Sequence, residues 1–191
     1  MTDASAVSRA QAGDSDAFRL LVERHSRTIF RVAYRMTGNQ HDADDVVQET
    51  FLRVYRQLES FESRANFTTW LHRIAVNCSL DLLRTRTRHD RHRSNDSEEA
   101  LMNGDVATDQ PHAERLLLSS EVQQQVSTAL EALSGNERTA FVLRHFEGLS
   151  IEEIGSVLGT RVNATKNTIF RAVRKLRDQL EPLVRTTSCN I

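Results

Sequence analysis

The chain has 191 residues and a formal net charge of −1, with 25 lysines and arginines against 26 aspartates and glutamates. This length allows one or two domains, and the near-neutral balance excludes nucleic-acid binding by the charge of the whole protein, so only local segments can bind a polyanion. Two prolines and seven glycines are few for turn-rich β structure, so the composition predicts an all-α protein.

No apolar run approaches the roughly 18 residues that a membrane-spanning helix needs. The N-terminus MTDASAVSRAQAGD lacks the basic-then-apolar pattern of a secretory signal. We therefore expect a cytoplasmic protein without membrane insertion. Cys78 and Cys189 are far apart in sequence and fit reduced thiols in that compartment, with a regulatory disulfide as the alternative.

Two amphipathic helices are predicted in the first sixty residues. Apolar side chains at helical spacing run from about Asp14 to Met36, and Gly38-Asn39 ends this helix. A second helix, Asp42 to Leu58, begins with an acidic cluster: Asp42, Asp44, Asp45 and Glu49. Acids in a first helical turn also suit the helix dipole, so the cluster alone favours a protein partner only weakly.

A polar loop with one exposed-looking aromatic, Phe61, follows at 59–66. A third helix is then predicted from Phe67 to about Arg86, and one of its outer faces carries Trp70, Arg73, Asn77 and Arg84. From Arg64 to Arg93 seven arginines stand against two aspartates, a segment charge of about +5. Arginines interleaved with aromatic rings predict a surface that holds phosphates and stacks unpaired bases. The alternative is that Phe67 and Trp70 are core residues.

The stretch from Asp90 to about Pro111 loses helical periodicity and is rich in Ser, Asn, Asp, Glu and Gly. That composition is typical of a flexible linker. We therefore predict two helical domains, at residues 10–90 and 114–185, joined by a linker at 91–113.

The C-terminal half is predicted to be a compact four-helix domain with a frayed tail from Thr186 to Ile191. After Glu114 helicity resumes, with inward residues Val122, Val126, Ala129, Leu130 and Leu133. Ser134 and Glu137 form a capping box that opens a helix through Phe146.

A helix-turn-helix pattern occupies residues 150–177. Ser150 and Glu153 form a second capping box, Gly159 ends the first helix, and Asn163 is the predicted cap of the second. The second helix carries cations and no acid, and one face combines Lys166, Asn167, Phe170, Arg171 and Arg174. Long cations, an amide and an apolar ring are what a major-groove reader needs for guanine, adenine and thymine. The alternative is a basic, solvated helix end.

No Gly-rich phosphate loop, nucleophile elbow or convincing set of metal ligands occurs in the sequence. We therefore expect no catalytic residues, no metal site and no cofactor.

Three segments together resemble bacterial sigma factors of the extracytoplasmic-function (ECF) group. The segment DADDVVQETFLRVYRQLESF (Asp42–Phe61) is similar to the family segment that docks on the clamp helices of RNA polymerase. The segment FTTWLHRIAVNCSLDLLR (Phe67–Arg84) resembles the one that melts and reads the −10 promoter element, and Glu137–Leu180 resembles the domain that reads the −35 element. The resemblance covers roughly residues 10–90 and 114–183.

This resemblance implies a role for each surface. The partners are core RNA polymerase (clamp helices of the β′ subunit, flap of the β subunit), promoter DNA and an anti-sigma factor. Polymerase contact is implied for Asp45, Gln48, Glu49 and Arg53. The −10 readers are Phe61, Ser63, Arg64, Asn66, Trp70, Arg73, Asn77 and Arg84, where a loop and Asn77 capture a flipped base. The −35 readers are Lys166, Asn167, Phe170 and Arg171, with Arg174 on phosphate.

The chain departs from the family run Pro-Val-Gly-Thr-Val-Lys-Ser-Arg, which here reads RVNATKNT (161–168). Asn163 is expected to replace glycine as a cap. Thr165 places a hydroxyl at an aliphatic position, at a cost of about 1–2 kcal/mol if that hydroxyl is buried without a partner. Promoter preference therefore does not carry over from the family.

Two other functions compete with a dissociable initiation subunit. An ordinary DNA-binding regulator would bind duplex DNA unaided as a dimer on a two-fold site. A nucleic-acid enzyme would turn over without polymerase.

Overall fold

The computed structural model of the protein describes residues 2–62, 66–93 and 125–188. All regular elements in these ranges are helical, which confirms the all-α prediction. They are α1 (Asp3–Gln11), α2 (Ser15–Thr37), α3 (Gln40–Gln57), a 3-10 turn (Leu58–Ser60), α4 (Phe67–Arg93), α5 (residues 125–131), α6 (Gly135–His145), α7 (Ile151–Leu158) and α8 (Val162–Ser188).

Helices α1 to α4 form the N-terminal unit around one core. Its largest fully buried side chains include Leu21, Ile29, Val46, Val54 and Leu71. Asp14 caps α2 by accepting a hydrogen bond from the Ala17 N–H, and Gly38, at φ +73°, ends it as predicted. The Asn39 side chain then caps α3, which begins two residues earlier than the acidic cluster suggested.

Helix α1 was missed by the sequence analysis, which placed the first helix at Asp14. The nine residues of α1 bury only Ala6 and Val7. Such a short apolar pattern gives little periodicity to detect, and the helix is held by contacts with α2 and with the 3-10 turn.

Helices α5 to α8 form the C-terminal unit, with a core of Ala129, Leu130, Leu133, Ala172 and Leu176. Both predicted capping boxes are present, at Ser134–Glu137 and Ser150–Glu153. Gly159 has φ +65° between α7 and α8. A Cβ at Gly155 would lie 2.9 Å from the Thr160 carbonyl oxygen, so the close turn of the helix-turn-helix requires glycine there.

Three predicted helix boundaries are wrong. Helix α8 begins at Val162, with the Thr165 N–H bonded to the Arg161 carbonyl at 2.9 Å, so Asn163 lies in the first turn and is not the cap. The same helix continues through Ser188, past the predicted frayed end at Thr186. Helix α4 continues through Arg93, beyond Arg86. The remainder of the predicted linker lies outside the described residues.

The two units pack directly on each other along a surface that we call the seam. Helix α4 packs on α7 and α2 on α6. A shared apolar cluster joins Val32, Met36 and Val76 of the first unit to side chains of the second, namely Ala140, Val142, Leu143, Leu149, Ile154 and Val157. The relative placement of the two units could not be predicted from the sequence.

Polar contacts follow the edge of this cluster. The buried Arg138 guanidinium donates to the Leu130 carbonyl within its own unit, at 2.7 Å, and to the Met36 carbonyl across the seam, at 2.5 Å. Glu147, whose side chain is 5 % exposed, lies 3.3 Å from Arg31 and 3.9 Å from Arg35 of α2. His72 is buried at the seam side of α4, and burial lowers its pKa.

Candidate nucleic-acid interface

The outer face of α8 presents all five predicted major-groove readers to solvent. Phe170 is 68 % exposed, which is an unusual degree of exposure for a phenylalanine side chain. Around it the side chains of Lys166, Asn167, Arg171 and Arg174 are also exposed. The opposite face of the helix buries Thr165, Ala172 and Leu176.

Arg171 is partly engaged within the protein. Its Nε lies 3.6 Å from Glu137 Oε1, and the Lys175 ammonium lies 2.7 Å from Glu137 Oε2. Burial alone would raise the pKa of Glu137, but the hydrogen bonds from Lys175 and Ser134 outweigh it and hold that pKa below its ordinary value. The sequence analysis did not foresee this anchor, because Glu137 was assigned only to its capping box.

The two threonines that depart from the family run are both paired. Thr165 is fully buried, and its Oγ1 lies 2.8 Å from Thr160 Oγ1 and 3.1 Å from the Arg161 carbonyl to which it donates. The Thr168 hydroxyl donates to the Ala164 carbonyl at 2.9 Å. The condition for a stability cost, a hydroxyl buried without a partner, is therefore not met at Thr165.

A second basic face lies on α4, where Arg73, Asn77 and Arg84 are exposed. Asp81 stands on the same face and accepts from Arg53 at 3.5 Å and from Arg84 at 3.4 Å. Asp81, one of the two aspartates already included in the segment charge of about +5, therefore lies beside Arg84 of that segment and Arg53 of α3.

Phe61 is not exposed, and this prediction was wrong. It is 9 % exposed and packs on Trp70 and Phe67, with ring centroids 4.7 Å and 5.8 Å away. Phe67 is a core residue and Trp70 is half-buried. The physical reason is that Phe61 closes the end of the hydrophobic core where the chain leaves the 3-10 turn.

The loop between Phe61 and Phe67 is described only at its ends. Ser63 and Arg64 lie outside the described residues. Asn66 is exposed, and its Oδ1 accepts a hydrogen bond from the Thr68 N–H at 3.0 Å, which helps to begin α4.

The outer face of α3 combines acids with apolar side chains. Asp45 and Gln48 are exposed, whereas Glu49 and Arg53 are half-buried and joined at 2.6 Å. The hydrogen bond that the Arg53 guanidinium donates to Glu49 raises the pKa of Arg53. Leu52 and Tyr55 are 51 % and 66 % exposed on this helix. Sequence reasoning missed them, although Leu52 lies outside the inward stripe of Val47, Phe51 and Val54.

The described residues contain no group of three or more potential metal ligands. None of the helices in the described ranges is long and apolar enough to cross a membrane. Cys78 is buried, and burial raises the pKa of its thiol. Its alternative disulfide partner, Cys189, lies outside the described residues.

A helix-turn-helix unit with an exposed basic reading face, packed on a second helical unit with another basic face, defines a helical DNA-binding protein with two contact surfaces. Two family models match the chain: Sigma-70 region 2 over residues 21–89 and Sigma-70 region 4 over residues 123–176. The first lies on α2 to α4 and the second on α5 to α8.

The chain is 36% identical over 187 residues to the ECF RNA polymerase sigma-E factor of Escherichia coli K12, covering 97% of each protein. It is 39% identical over 162 residues to the ECF RNA polymerase sigma factor SigE of Mycolicibacterium smegmatis, covering 84% of this chain and 60% of that protein. It also matches the structure of CnrH in complex with the cytosolic domain of CnrY, with 29% identity and a TM-score of 0.70 over 94% of this chain and 97% of CnrH. The chain belongs to the ECF RNA polymerase sigma factors, which direct promoter-specific initiation of transcription and are not enzymes.

Proposed function

We propose that this chain binds core RNA polymerase through its N-terminal domain, residues 10–90, and reads promoters with both domains. The observation that carries the proposal is where the exposed large apolar side chains lie. Four of the six in the described residues fall on two surfaces, Leu52 and Tyr55 on α3 and Val162 and Phe170 on the recognition helix; the other two are Tyr34 and Phe146. Exposed apolar side chains that lie close together and are surrounded by polar residues are typical of interaction surfaces.

The α3 face is the proposed contact with the clamp helices of the β′ subunit. Asp45 and Gln48 supply its polar rim, and Leu52 and Tyr55 supply apolar area at its centre. Glu49 and Arg53 fix each other in place, so they set the shape of this face as well as contacting the partner. The flap of the β subunit is the proposed partner of the C-terminal domain, residues 114–185.

The recognition helix is the proposed reader of the −35 element. Phe170 suits the thymine methyl, Asn167 an adenine edge, and Lys166 and Arg171 guanine edges. Arg174 lies one turn further along α8 and suits a phosphate. Arg171 must exchange its contact with Glu137 for a base edge, so its reading is coupled to that carboxylate.

The N-terminal part of α4 and the loop before it are the proposed reader of the −10 element. Asn66, Arg73 and Asn77 offer amides and a cation on exposed positions. Arg84 extends the phosphate contact, and Trp70 offers the exposed part of its ring to the opened strand. The loop residues Ser63 and Arg64 belong to the same reader. Phe61 supports the loop from beneath, because its ring is buried.

Reading both elements at once requires the seam to open. The element names imply a separation of about 25 base pairs, or roughly 85 Å at 3.4 Å per base pair. Two units in direct contact cannot span that distance. We infer that the packed arrangement is a resting state and that polymerase separates the units.

We propose control by an anti-sigma factor, because the family resemblance implies one and because the similar protein CnrH was solved in complex with another protein, the cytosolic domain of CnrY. The similarity extends over both units, so the packed arrangement is compatible with such a partner. The cytoplasm is the proposed location, because the polymerase and the promoter are there.

Run-off transcription tests the proposal. Core polymerase from the same source would be programmed with a genomic promoter library, with and without the chain. Transcripts that depend on the chain are expected, together with co-purification with core enzyme. The absence of any dependent transcript refutes the proposal, and tight binding of duplex promoter DNA without polymerase would favour an ordinary regulator.

A further inference from the structure

The recognition helix α8 carries no acid of its own between Arg161 and Arg177, although this stretch is rich in cations. An acid that balances part of this charge comes from another helix. Glu137 lies in the first turn of α6, and its side chain is only 5 % exposed. The packing of α6 on α8 therefore places a shielded carboxylate beside the reading face.

Glu137 contacts two cations of α8 at the same time. Its Oε2 lies 2.7 Å from the Lys175 ammonium, and its Oε1 lies 3.6 Å from Nε of Arg171. These two cations are four residues apart, so they are neighbours on one side of the helix. The side chains of Lys175 and Arg171 are 50 % and 63 % exposed, so an incoming DNA backbone can reach the groups that the carboxylate holds.

The carboxylate itself is fixed from its own helix. The Ser134 N–H donates to Glu137 Oε2 at 3.0 Å as part of the capping box. Although burial alone would raise the pKa of Glu137, the hydrogen bonds from Lys175 and Ser134 hold that pKa below its ordinary value, so the group is negatively charged at neutral pH. A fixed anion with two cation partners offers α8 the kind of contact that a DNA phosphate would offer.

Such an internal anion opposes the binding of DNA. Cations that contact phosphates release counterions from the DNA, and this release supplies most of the affinity that does not depend on sequence. A cation that is already paired with a carboxylate gains less from a phosphate, because it must give up its first partner. The carboxylate also repels the phosphates of the incoming duplex.

We propose that Glu137 competes with DNA for Arg171 and Lys175, and that Lys175 is a further phosphate contact of the recognition helix. This contact forms when the carboxylate releases the ammonium group. The competition lowers the affinity of α8 for every DNA sequence, so the C-terminal unit binds firmly only where polymerase brings further contacts. The inference rests on the proposed function, since it assigns Glu137 and Lys175 to the −35 reader.

The test uses the full chain and a short fluorescein-labelled DNA duplex of random sequence, with the Kd measured by fluorescence anisotropy over a range of salt concentrations. The reading face is exposed in the packed protein, so core polymerase is not needed for this measurement. Glu137→Gln removes the charge and keeps a residue that a capping box accepts at this position.

We expect Glu137→Gln to bind the random duplex about threefold more tightly than the wild type, since ion pairs of such exposed cations correspond to factors of roughly two to five. The plot of log affinity against log salt concentration should steepen by about one, because one more cation contacts a phosphate. A merely structural role of Glu137 predicts the opposite sign, because a loosened domain would bind DNA more weakly.

Two further variants separate competition from a general change in net charge. Glu23→Gln removes a carboxylate that also faces an arginine, Arg19 at 3.7 Å, but this pair lies on α2. It is expected to bind the duplex as the wild type does. Lys175→Met is made alone and together with Glu137→Gln, and the gain from Glu137→Gln should be smaller when the ammonium group is absent. The melting temperature is measured for all variants.

Unchanged or weaker binding by Glu137→Gln overturns this inference, and so does an equal gain in Glu23→Gln. A gain that is fully retained in the Lys175→Met background overturns the role of Lys175. Each of these results leaves the proposed function standing if the wild type directs run-off transcription with core polymerase. If the wild type directs no such transcription, the proposed function fails, and the assignment of Glu137 and Lys175 to a −35 reader falls with it.

Discussion

We expect that a single charge placed in the seam separates the two units without unfolding either of them. Val76 on α4 is 1 % exposed, and it packs in the apolar cluster shared by the two units. Val76→Glu places a carboxyl group in that cluster. When the units separate, the same side chain can reach water. The substitution therefore destabilises the packing of the two units on each other far more than it destabilises the fold of either unit.

The magnitude follows from the ionisation of the new group. Burial is least costly when the carboxyl is protonated, and protonating a glutamate of pKa about 4.3 at pH 7.5 costs about 4 kcal/mol at 1.36 kcal/mol per pH unit. Burial lowers the pKa of the neighbouring His72, one turn earlier on α4, so its ring is a poor partner for the new negative charge. Arg138 already donates to two carbonyls. The ratio of packed to open protein should therefore fall about a thousandfold.

Distances between spin labels at exposed Gln48 of α3 and Arg174 of α8 report the arrangement, in a background without the native cysteines. The wild type should give one short, narrow distance distribution. Val76→Glu should give a long, broad one at pH 7.5, with unchanged helicity by circular dichroism. Lowering the pH towards 5 should restore the short distance in part. The reason is that the free energy needed to protonate the buried carboxyl group becomes smaller as the pH falls.

Val76→Gln is the matched control, because its amide is polar but does not titrate. It should loosen the seam by about 1–3 kcal/mol and show no recovery specific to the carboxyl group at low pH. An unchanged distance in Val76→Glu at pH 7.5 would refute the reasoning. So would a general loss of helix, because it would mean that the units are not independently folded.

Three other outcomes are expected. Arg171→Ala should weaken recognition of the upstream element by about 1–3 kcal/mol, measured as holoenzyme affinity for duplex promoter with and without that element; equal losses on both templates would contradict a reading role. Asn77→Ala should impair promoter opening, followed by permanganate footprinting, while core binding stays at the wild-type level. Glu137→Gln should lower the free energy of unfolding by about 1 kcal/mol at neutral pH, since Lys175 is half exposed. Because the pKa of Glu137 is lowered, this difference should be complete above its ordinary value near 4.5 and vanish as the pH falls through the lowered value; a gap that persists in acid would argue against the ion pair.

Several features were predictable because they depend on residues close together in sequence. The two capping boxes, the left-handed Gly38 and Gly159, and the recognition face around Phe170 all follow from spacings of three to eight residues. The helix period then decides which side chains share a face.

Other features could not be predicted from the sequence because they depend on how the chain folds back on itself at loops and turns, even where the partners are close in sequence. Phe61 seemed exposed in its polar loop, but Phe67 and Trp70 cover it. Thr165 seemed a defect, but Thr160 and Arg161 pair with its hydroxyl. Helix α1 could not be predicted because its two buried residues are too few to show a helical periodicity.

The helical class, the two basic faces and the family could be predicted from the amino-acid sequence, since they depend on composition, short-range spacing and motifs. The packing of the two units along the seam, the ion pair of Arg171 with Glu137 and the attachment of α1 to α2 and to the 3-10 turn became visible only in the three-dimensional structure. The physical reason is that these contacts join residues up to about a hundred positions apart, for example Arg138 and Met36. Their free energy comes from burial and from complementary polar atoms, and neither is visible until the chain has folded.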